Sequence, residues 1–193
     1  RRILILAPKA VMTQWQIELR EKFNLNWPIY DGKTLNWYPS PLMRGHTERE
    51  VSREEWHREP FVIASSHLMR RRDRQAELCE TAEPWDLVVL DEAHHARRKS
   101  PGANREGPPN LLLQLMQKLG ERTQSLLLLT ATPMQVHPVE VWDLLSLLAM
   151  PGEWSRSAFL EFFRLSGNPN PSHQDFERLA QLFRAAESAF GPI

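Results

Sequence analysis

Short apolar runs alternate with longer amphipathic stretches along the first three quarters of this 193-residue chain. Ile3-Leu4-Ile5-Leu6, Phe61-Val62-Ile63-Ala64-Ser65, Trp85 to Leu90 and Ser125 to Leu129 are brief and largely apolar at both alternating positions. That pattern predicts strands buried on both faces. Between them Val11, Met12, Trp15, Leu19 and Phe23 recur at helical spacing, which predicts a helix from about 10 to 22. Leu111–Leu119 reads as a buried helix, and Pro138 suits the first turn of another that runs to about 148, apolar on most sides and so covered all round. Residues 31–60 are polar and irregular, with a helix expected near 47–57, and 70–82 reads as a basic helical stretch. Pro101, Gly102, Gly107, Pro108 and Pro109 mark 96–110 as a loop.

After Pro151-Gly152 the pattern becomes helical only. Phe159, Leu160, Phe162 and Phe163 mark one helix. Phe176, Leu179, Ala180, Phe183, Ala186 and Phe190 mark another, opened by Ser172 with Asp175 three residues on. Strand–helix alternation implies an α/β parallel sheet over residues 1–150. Residues 151–193 read as a helical insertion or extension.

Composition narrows the picture only a little. Lys+Arg and Asp+Glu both number 24, so a polyanionic partner would need a local patch rather than a global charge. Cys79 is the only cysteine, which excludes a disulfide framework within one chain and favours a cytosolic setting. No apolar run approaches the ~20 residues that span a bilayer, so no membrane partner is expected. The chain opens on Arg1 directly before its first strand, and the expectation is a piece excised from a longer protein.

Two strand ends carry chemistry. Leu87-Val88-Val89-Leu90 runs into Asp91-Glu92-Ala93-His94-His95, and Leu126 to Leu129 runs into Thr130-Ala131-Thr132-Pro133, about 40 residues later. Buried parallel strands deliver functional groups to the carboxyl edge of their sheet in this way. Two adjacent carboxylates there suit Mg²⁺ and a polarised water: Asp91 as metal holder, directly or through water, and Glu92 orienting the attacking water. Two adjacent histidines miss the zinc spacing, which needs them four apart with a glutamate between. His94 reads as a hydrogen-bonding member of the nucleotide site, and the hydroxyls of Thr130 and Thr132 can bond the acidic motif. Weaker signals are Lys9 before the first helix, Ser65 and Ser66 opening another, and Arg70 and Arg71 in the run to Arg74. Small hydroxyls, cations and helix N-termini are what phosphate-backbone contacts require.

These residues resemble helicase superfamily two. Asp91-Glu92-Ala93-His94 looks like motif II in the form of its bacterial branch, and Thr130-Ala131-Thr132-Pro133 like motif III. Thr132-Pro133-Met134-Gln135 through Glu140-Val141-Trp142-Asp143-Leu144-Leu145 is similar to the segment that follows in Swi/Snf-type ATPases. Leu6-Ala7-Pro8-Lys9 to Gln14-Trp15 resembles motif Ia, and Ile63-Ala64-Ser65-Ser66-His67 motif Ib. The resemblance implies a three-layer RecA-like lobe that takes ATP and Mg²⁺, grips double-stranded DNA through Lys9, Ser65, Ser66, Arg70 and Arg71, and couples nucleotide to DNA through Thr130, Ala131 and Thr132. A second RecA-like lobe would complete the site with an arginine finger.

One departure is large: no Gly-x-x-x-x-Gly-Lys-Ser/Thr occurs, so the phosphate loop of motif I has no counterpart. The expectation is therefore a truncated first lobe of a DNA-stimulated ATPase that translocates on duplex DNA, inactive by itself, in the bacterial cytosol or nucleoid. The alternatives are a nucleic-acid-binding or protein-docking module with a dead motor, or a strand-separating helicase lobe. The resemblance also implies that the phosphate-loop strand lies beside the motif III strand, so 125–129 should form an exposed edge that self-associates or recruits another segment of the chain to cover it.

Overall fold

A computed structural model of the protein describes residues 1–39, 47–99, 107–132 and 137–192. Among them, β1 (Ile3–Ala7), β5 (Phe61–Ser65), β6 (Leu87–Leu90) and β7 (Ser125–Leu128) form the parallel heart of one sheet. The short strands β2 (Ile29–Tyr30), β3 (Thr34–Asn36) and β4 (Glu48–Glu50) extend it on one side. The order is β4-β3-β2-β5-β1-β6-β7, with β2–β3 and β3–β4 antiparallel. The sheet is thus mostly parallel with an antiparallel flank.

Alternation along the strands builds two cores. Leu4, Leu6, Val62, Ala64, Val88 and Leu90 point to one face, packed by α4 (Leu111–Gly120) through Leu112, Leu113, Leu115, Met116 and Leu119. Ile5, Ala7, Ile63 and Val89 point to the other, covered by α1 (Met12–Phe23) through Met12, Trp15 and Leu19. Burial on both faces explains why β1, β5 and β6 read as unbroken apolar runs. β7, at the edge, was expected to be buried likewise and is not, with Ser125 and Leu127 exposed and Leu126 and Leu128 only partly covered. On α1's face the cover stops short of β7: Leu127 is 45% exposed and Phe23 67%.

The sequence reading needs correction at three places. Residues 48–50 form a strand, and only Trp56–Arg58 make a 3₁₀ turn, where a helix near 47–57 was expected. Tyr30, Leu35 and Trp56 decide this segment; all three are fully buried, and the Tyr30 and Trp56 rings stack at 4.5 Å. The basic stretch breaks into α2 (Ser66–Met69), α3 (Arg72–Ala76) and a π-helical turn (Glu77–Thr81). The helix after Pro138, α5 (Val139–Leu145), is covered on most sides as expected, two of its buried residues being the charged Glu140 and Asp143, but it ends at Leu145, and Leu148 beyond it is 40% exposed.

Leu144 of α5 joins the sheet core, while Trp142 packs with Trp154, Phe159 and Leu182 in a third cluster formed with α6 (Arg156–Ser166) and α7 (His173–Phe190). The predicted capping box closes the start of α7: the Ser172 hydroxyl accepts from the Asp175 N–H at 3.2 Å, and the Asp175 carboxylate accepts from the Ser172 N–H at 2.8 Å.

Candidate active site

Four neighbouring parallel strands end at one edge, and almost every residue singled out from the sequence sits there. Ser65 is opposite Ala7, Leu6 opposite Leu90, and Leu90 opposite Leu128. Lys9, Ser65, Asp91 and Thr130 therefore lie at or within two residues of adjacent carboxyl ends. The Asp91 N–H extends the ladder to the Leu6 carbonyl at 2.9 Å, and the Ala93 N–H donates to the Leu129 carbonyl at 2.9 Å.

Asp91 is held from two sides. Its Oδ1 accepts from the Glu92 backbone N–H at 2.8 Å, and its Oδ2 accepts from the indole N–H of Trp15 at 2.7 Å. A carboxylate has about four lone-pair positions, so each oxygen keeps one for a metal or its water. Glu92 follows in the left-handed region, φ 51° and ψ 48°. That conformation costs a non-glycine residue about 1–2 kcal/mol. It turns the chain sharply out of the strand and starts the 3₁₀ turn Ala93–His95.

His94 joins the two motifs. Its Nδ1 lies 3.2 Å from Glu92 Oε2 and 3.1 Å from Thr130 Oγ1. A carboxylate only accepts, so the proton belongs on Nδ1 when the ring turns toward Glu92. The Thr130 hydroxyl in turn accepts from the Thr132 N–H at 3.2 Å. Ala131 and Thr132 are exposed, and 133–136, which carry the remainder of this motif, lie outside the described residues. The ring of His95 stands 4.1 Å from that of His94; burial, then the neighbouring imidazole, depresses the His95 pKa.

The remaining candidates divide. Lys9 is exposed in the 3₁₀ turn after β1. Ser65 and Ser66 are buried, and the Ser65 hydroxyl caps α2 by accepting from the Leu68 N–H at 3.4 Å. Arg70 is partly exposed, and Arg71 is exposed and paired with Asp73. Arg74 turns inward, donating to Tyr30 Oη and Glu77 at 3.1 Å, while Trp56 Nε1 also donates to Glu77 at 2.8 Å.

Three features were not foreseen. Trp15 reads as core by its spacing, and nothing in sequence connects it to a carboxylate 76 positions away. Arg97 and Arg98 fall in the 96–110 stretch expected to be a loop, yet they strap the chain after Glu92 to α5. Arg97 donates to Glu140 at 2.9 Å; Arg98 donates to Asp143 from its backbone N–H at 2.7 Å and from Nε at 2.8 Å. Burial pushes the Asp143 carboxyl up, and the hydrogen bonds and charge of Arg98 pull it partly back. Finally, the one Gly-Lys-Thr of the chain, Gly32-Lys33-Thr34, is no phosphate cradle. It is the turn of the β2–β3 hairpin, where the Asp31 side chain accepts from the N–H groups of Lys33 and Thr34 at 2.9 Å each. Three strands, β5, β1 and β6, separate β2 from β7 in the sheet order.

Among the described residues no three His, Cys, Asp or Glu side chains converge as a metal cage. Mg²⁺ is ordinarily held by one or two carboxylates with water and phosphate oxygens, and Asp91 offers such a carboxylate.

A mostly parallel sheet between helices, with an Asp-Glu pair closing one central strand and a Thr-bearing turn closing its neighbour, defines a RecA-like lobe of helicase type. The family described as SNF2-related domain matches residues 1–186, and the chain belongs to it. It is 31% identical over 147 residues to the RNA polymerase-associated protein RapA of Actinobacillus pleuropneumoniae serotype 5b, covering 76% of this chain and 14% of that protein. It is also 31% identical over 160 residues to RapA of Vibrio campbellii (83% and 15%), and 33% over 135 residues to RapA of Yersinia enterocolitica (70% and 12%). The chain thus spans about one seventh of the length of these relatives. The Swi/Snf-type resemblance and the α/β RecA-like fold are both borne out, and the family is one of helicase-like ATPases. Among the described residues no helix is long and apolar enough to cross a membrane.

Proposed function

We propose that this chain is part of the first motor lobe of a DNA-stimulated ATPase that moves along double-stranded DNA, and that it supplies the hydrolytic side of the ATP site. The observation that carries this reading is the bridge of His94 between Glu92 and Thr130. It ties a carboxylate suited to accept a proton from water to a hydroxyl at the next strand end, so a change at one is felt at the other.

In this reading Asp91 holds Mg²⁺, which when bound offsets the charge of the phosphate oxygens. Glu92 orients water and takes its proton, while His94 with Thr130, Ala131 and Thr132 transmits the state of the site. Lys9, Ser65, Ser66, Arg70 and Arg71 are proposed for the DNA backbone, with the backbone N–H groups and not the buried hydroxyls acting at 65–66. Residues outside these 193 supply the phosphate cradle and a second lobe, so the isolated chain has no measurable ATPase. The division at about residue 150, with a helical extension beyond, and a cytoplasmic setting belong to the same proposal. The relatives' association with RNA polymerase extends to it as the natural first partner to test.

A second reading, a binding module with a dead motor, is favoured by the missing cradle. The complete reading frame separates the two. ATP hydrolysis stimulated by duplex DNA, with ATP-dependent displacement of a third strand from a triplex, supports the motor. Binding that is steeply salt-dependent but leaves ATP intact supports the module.

A further inference from the structure

We propose that Trp15 is the positioning residue for the carboxylate of Asp91, setting which of its lone pairs face the metal. The proposal rests on the reading of Asp91 as the metal carboxylate. Three observations carry it. The indole N–H donates to Oδ2 at 2.7 Å while the Glu92 N–H donates to Oδ1 at 2.8 Å, so the plane of the carboxylate is fixed by one donor on each oxygen. The second is that the donor is anchored by packing. Trp15 sits on α1, whose Met12 and Leu19 anchor it on the sheet face below Ile5 and Val89, and the ring itself packs against that cluster. The third is that the contact opens on space. Trp15 and Asp91 share a cavity of about 350 Å³ with Val11, Gln14, Glu18 and Phe23. Asp91 is partly exposed at this cavity, so a solvated cation can reach its carboxylate.

An indole N–H is suited to this task. It is donor only and uncharged, so it orients a carboxylate without neutralising it or competing for the cation. Outer hydrogen bonds that fix a metal-binding carboxylate typically govern affinity or activity by 10–100-fold. A lysine at the same place would repel the metal, and a phenylalanine would leave the carboxylate held by the Glu92 N–H alone.

The test uses the 193-residue chain carrying Leu127→Lys to hold it monomeric, with its seven tryptophans labelled with ¹⁵N at the indole nitrogen. Trp15→Phe identifies the Trp15 signal, and the other six report that the fold persists. Asp91→Ala should move the Trp15 indole proton upfield and leave the rest in place; an unmoved signal would overturn the contact. Mn²⁺ is the probe for the cation, followed by selective broadening of the indole signals and by the electron resonance of free Mn²⁺. Broadening of Trp15 ahead of the others in this chain, lost in Asp91→Asn, upholds the reading of Asp91. Against that background Trp15→Phe should weaken Mn²⁺ binding on the order of 10-fold. Unchanged affinity in Trp15→Phe overturns the positioning role while leaving Asp91 as the metal carboxylate. Mn²⁺ binding insensitive to Asp91→Asn removes the reading of Asp91, and this proposal with it.

Discussion

His94 Nδ1 stands 3.1 Å from the hydroxyl of Thr130, a side-chain contact that links the motifs closing β6 and β7 across 36 residues of sequence. The same nitrogen is 3.2 Å from the Glu92 carboxylate, so the three groups form one relay. In the complete enzyme Thr130→Val, which keeps the shape and removes the hydroxyl, should preserve basal ATP hydrolysis within about threefold. Stimulation by duplex DNA should fall on the order of tenfold or more, a coupling loss within the usual 1–3 kcal/mol. Paired rates with and without DNA check this, and equal losses in both would place Thr130 in the chemistry instead.

The relay is supported from behind by Arg98 and Asp143. Asp143 is 1% exposed at its side chain and Arg98 23%, so breaking the pair strands a partly buried charge. Asp143→Ala should destabilise the chain by about 3 kcal/mol, the low end for a broken buried pair because Arg98 keeps some water. A urea midpoint series measures it. A change below about 0.5 kcal/mol would mean that α5 is not strapped to the loop in solution.

His57 sets an acid limb. It is 5% exposed, and burial together with the charges of Arg2 and Arg58 pushes its pKa below the ordinary value near 6.5. The folded form therefore resists a proton that the unfolded chain accepts. Stability should fall as the pH drops from about 6.5 toward the depressed folded pKa, and rise again with pH over the same window. Thermal unfolding between pH 7.5 and 5.5 tests the slope, and His57→Gln should flatten it. An identical slope in the variant would assign the effect to other groups, such as His95.

The strands β1, β5 and β6 were legible because nearly every position in each is apolar and buried, and β7 because three of its four residues are leucine, although it lies exposed at the edge. The acidic and threonine motifs were legible because each interrupts such a strand abruptly. Much of the rest depends on distant partners. β2 to β4 are two or three residues long and partly charged; they exist because Tyr30 and Leu35 fit a core completed by Trp56, which no local pattern shows. Trp15 carries the right spacing for a core residue and occupies that place, yet its polar edge does something more. Arg74 shares a basic run with Arg70 and Arg71 but finds Glu77 one turn on, and the sequence shows the run without showing which way each side chain turns.

β7 is an outer strand of the sheet, and its Leu127 is 45% exposed on the α1 face, beyond the reach of that helix. Unpaired backbone groups beside an uncharged leucine run invite another strand. The isolated chain should self-associate on concentration, and Leu127→Lys should keep it monomeric. Light scattering across a dilution series decides it. A wild type that stays monomeric, with amides of 125–128 exchanging rapidly, would contradict the expectation.

The central claim is that Glu92 activates water at an ATP site completed in the full enzyme. Glutamine at this position keeps the shape and removes the charge and the proton acceptor. Single-turnover hydrolysis of bound ATP by the Glu92→Gln enzyme on duplex DNA measures the claim directly. Nucleotide binding should stay close to wild type while the hydrolysis rate falls on the order of 10²–10⁴-fold. Hydrolysis at the wild-type rate would contradict it.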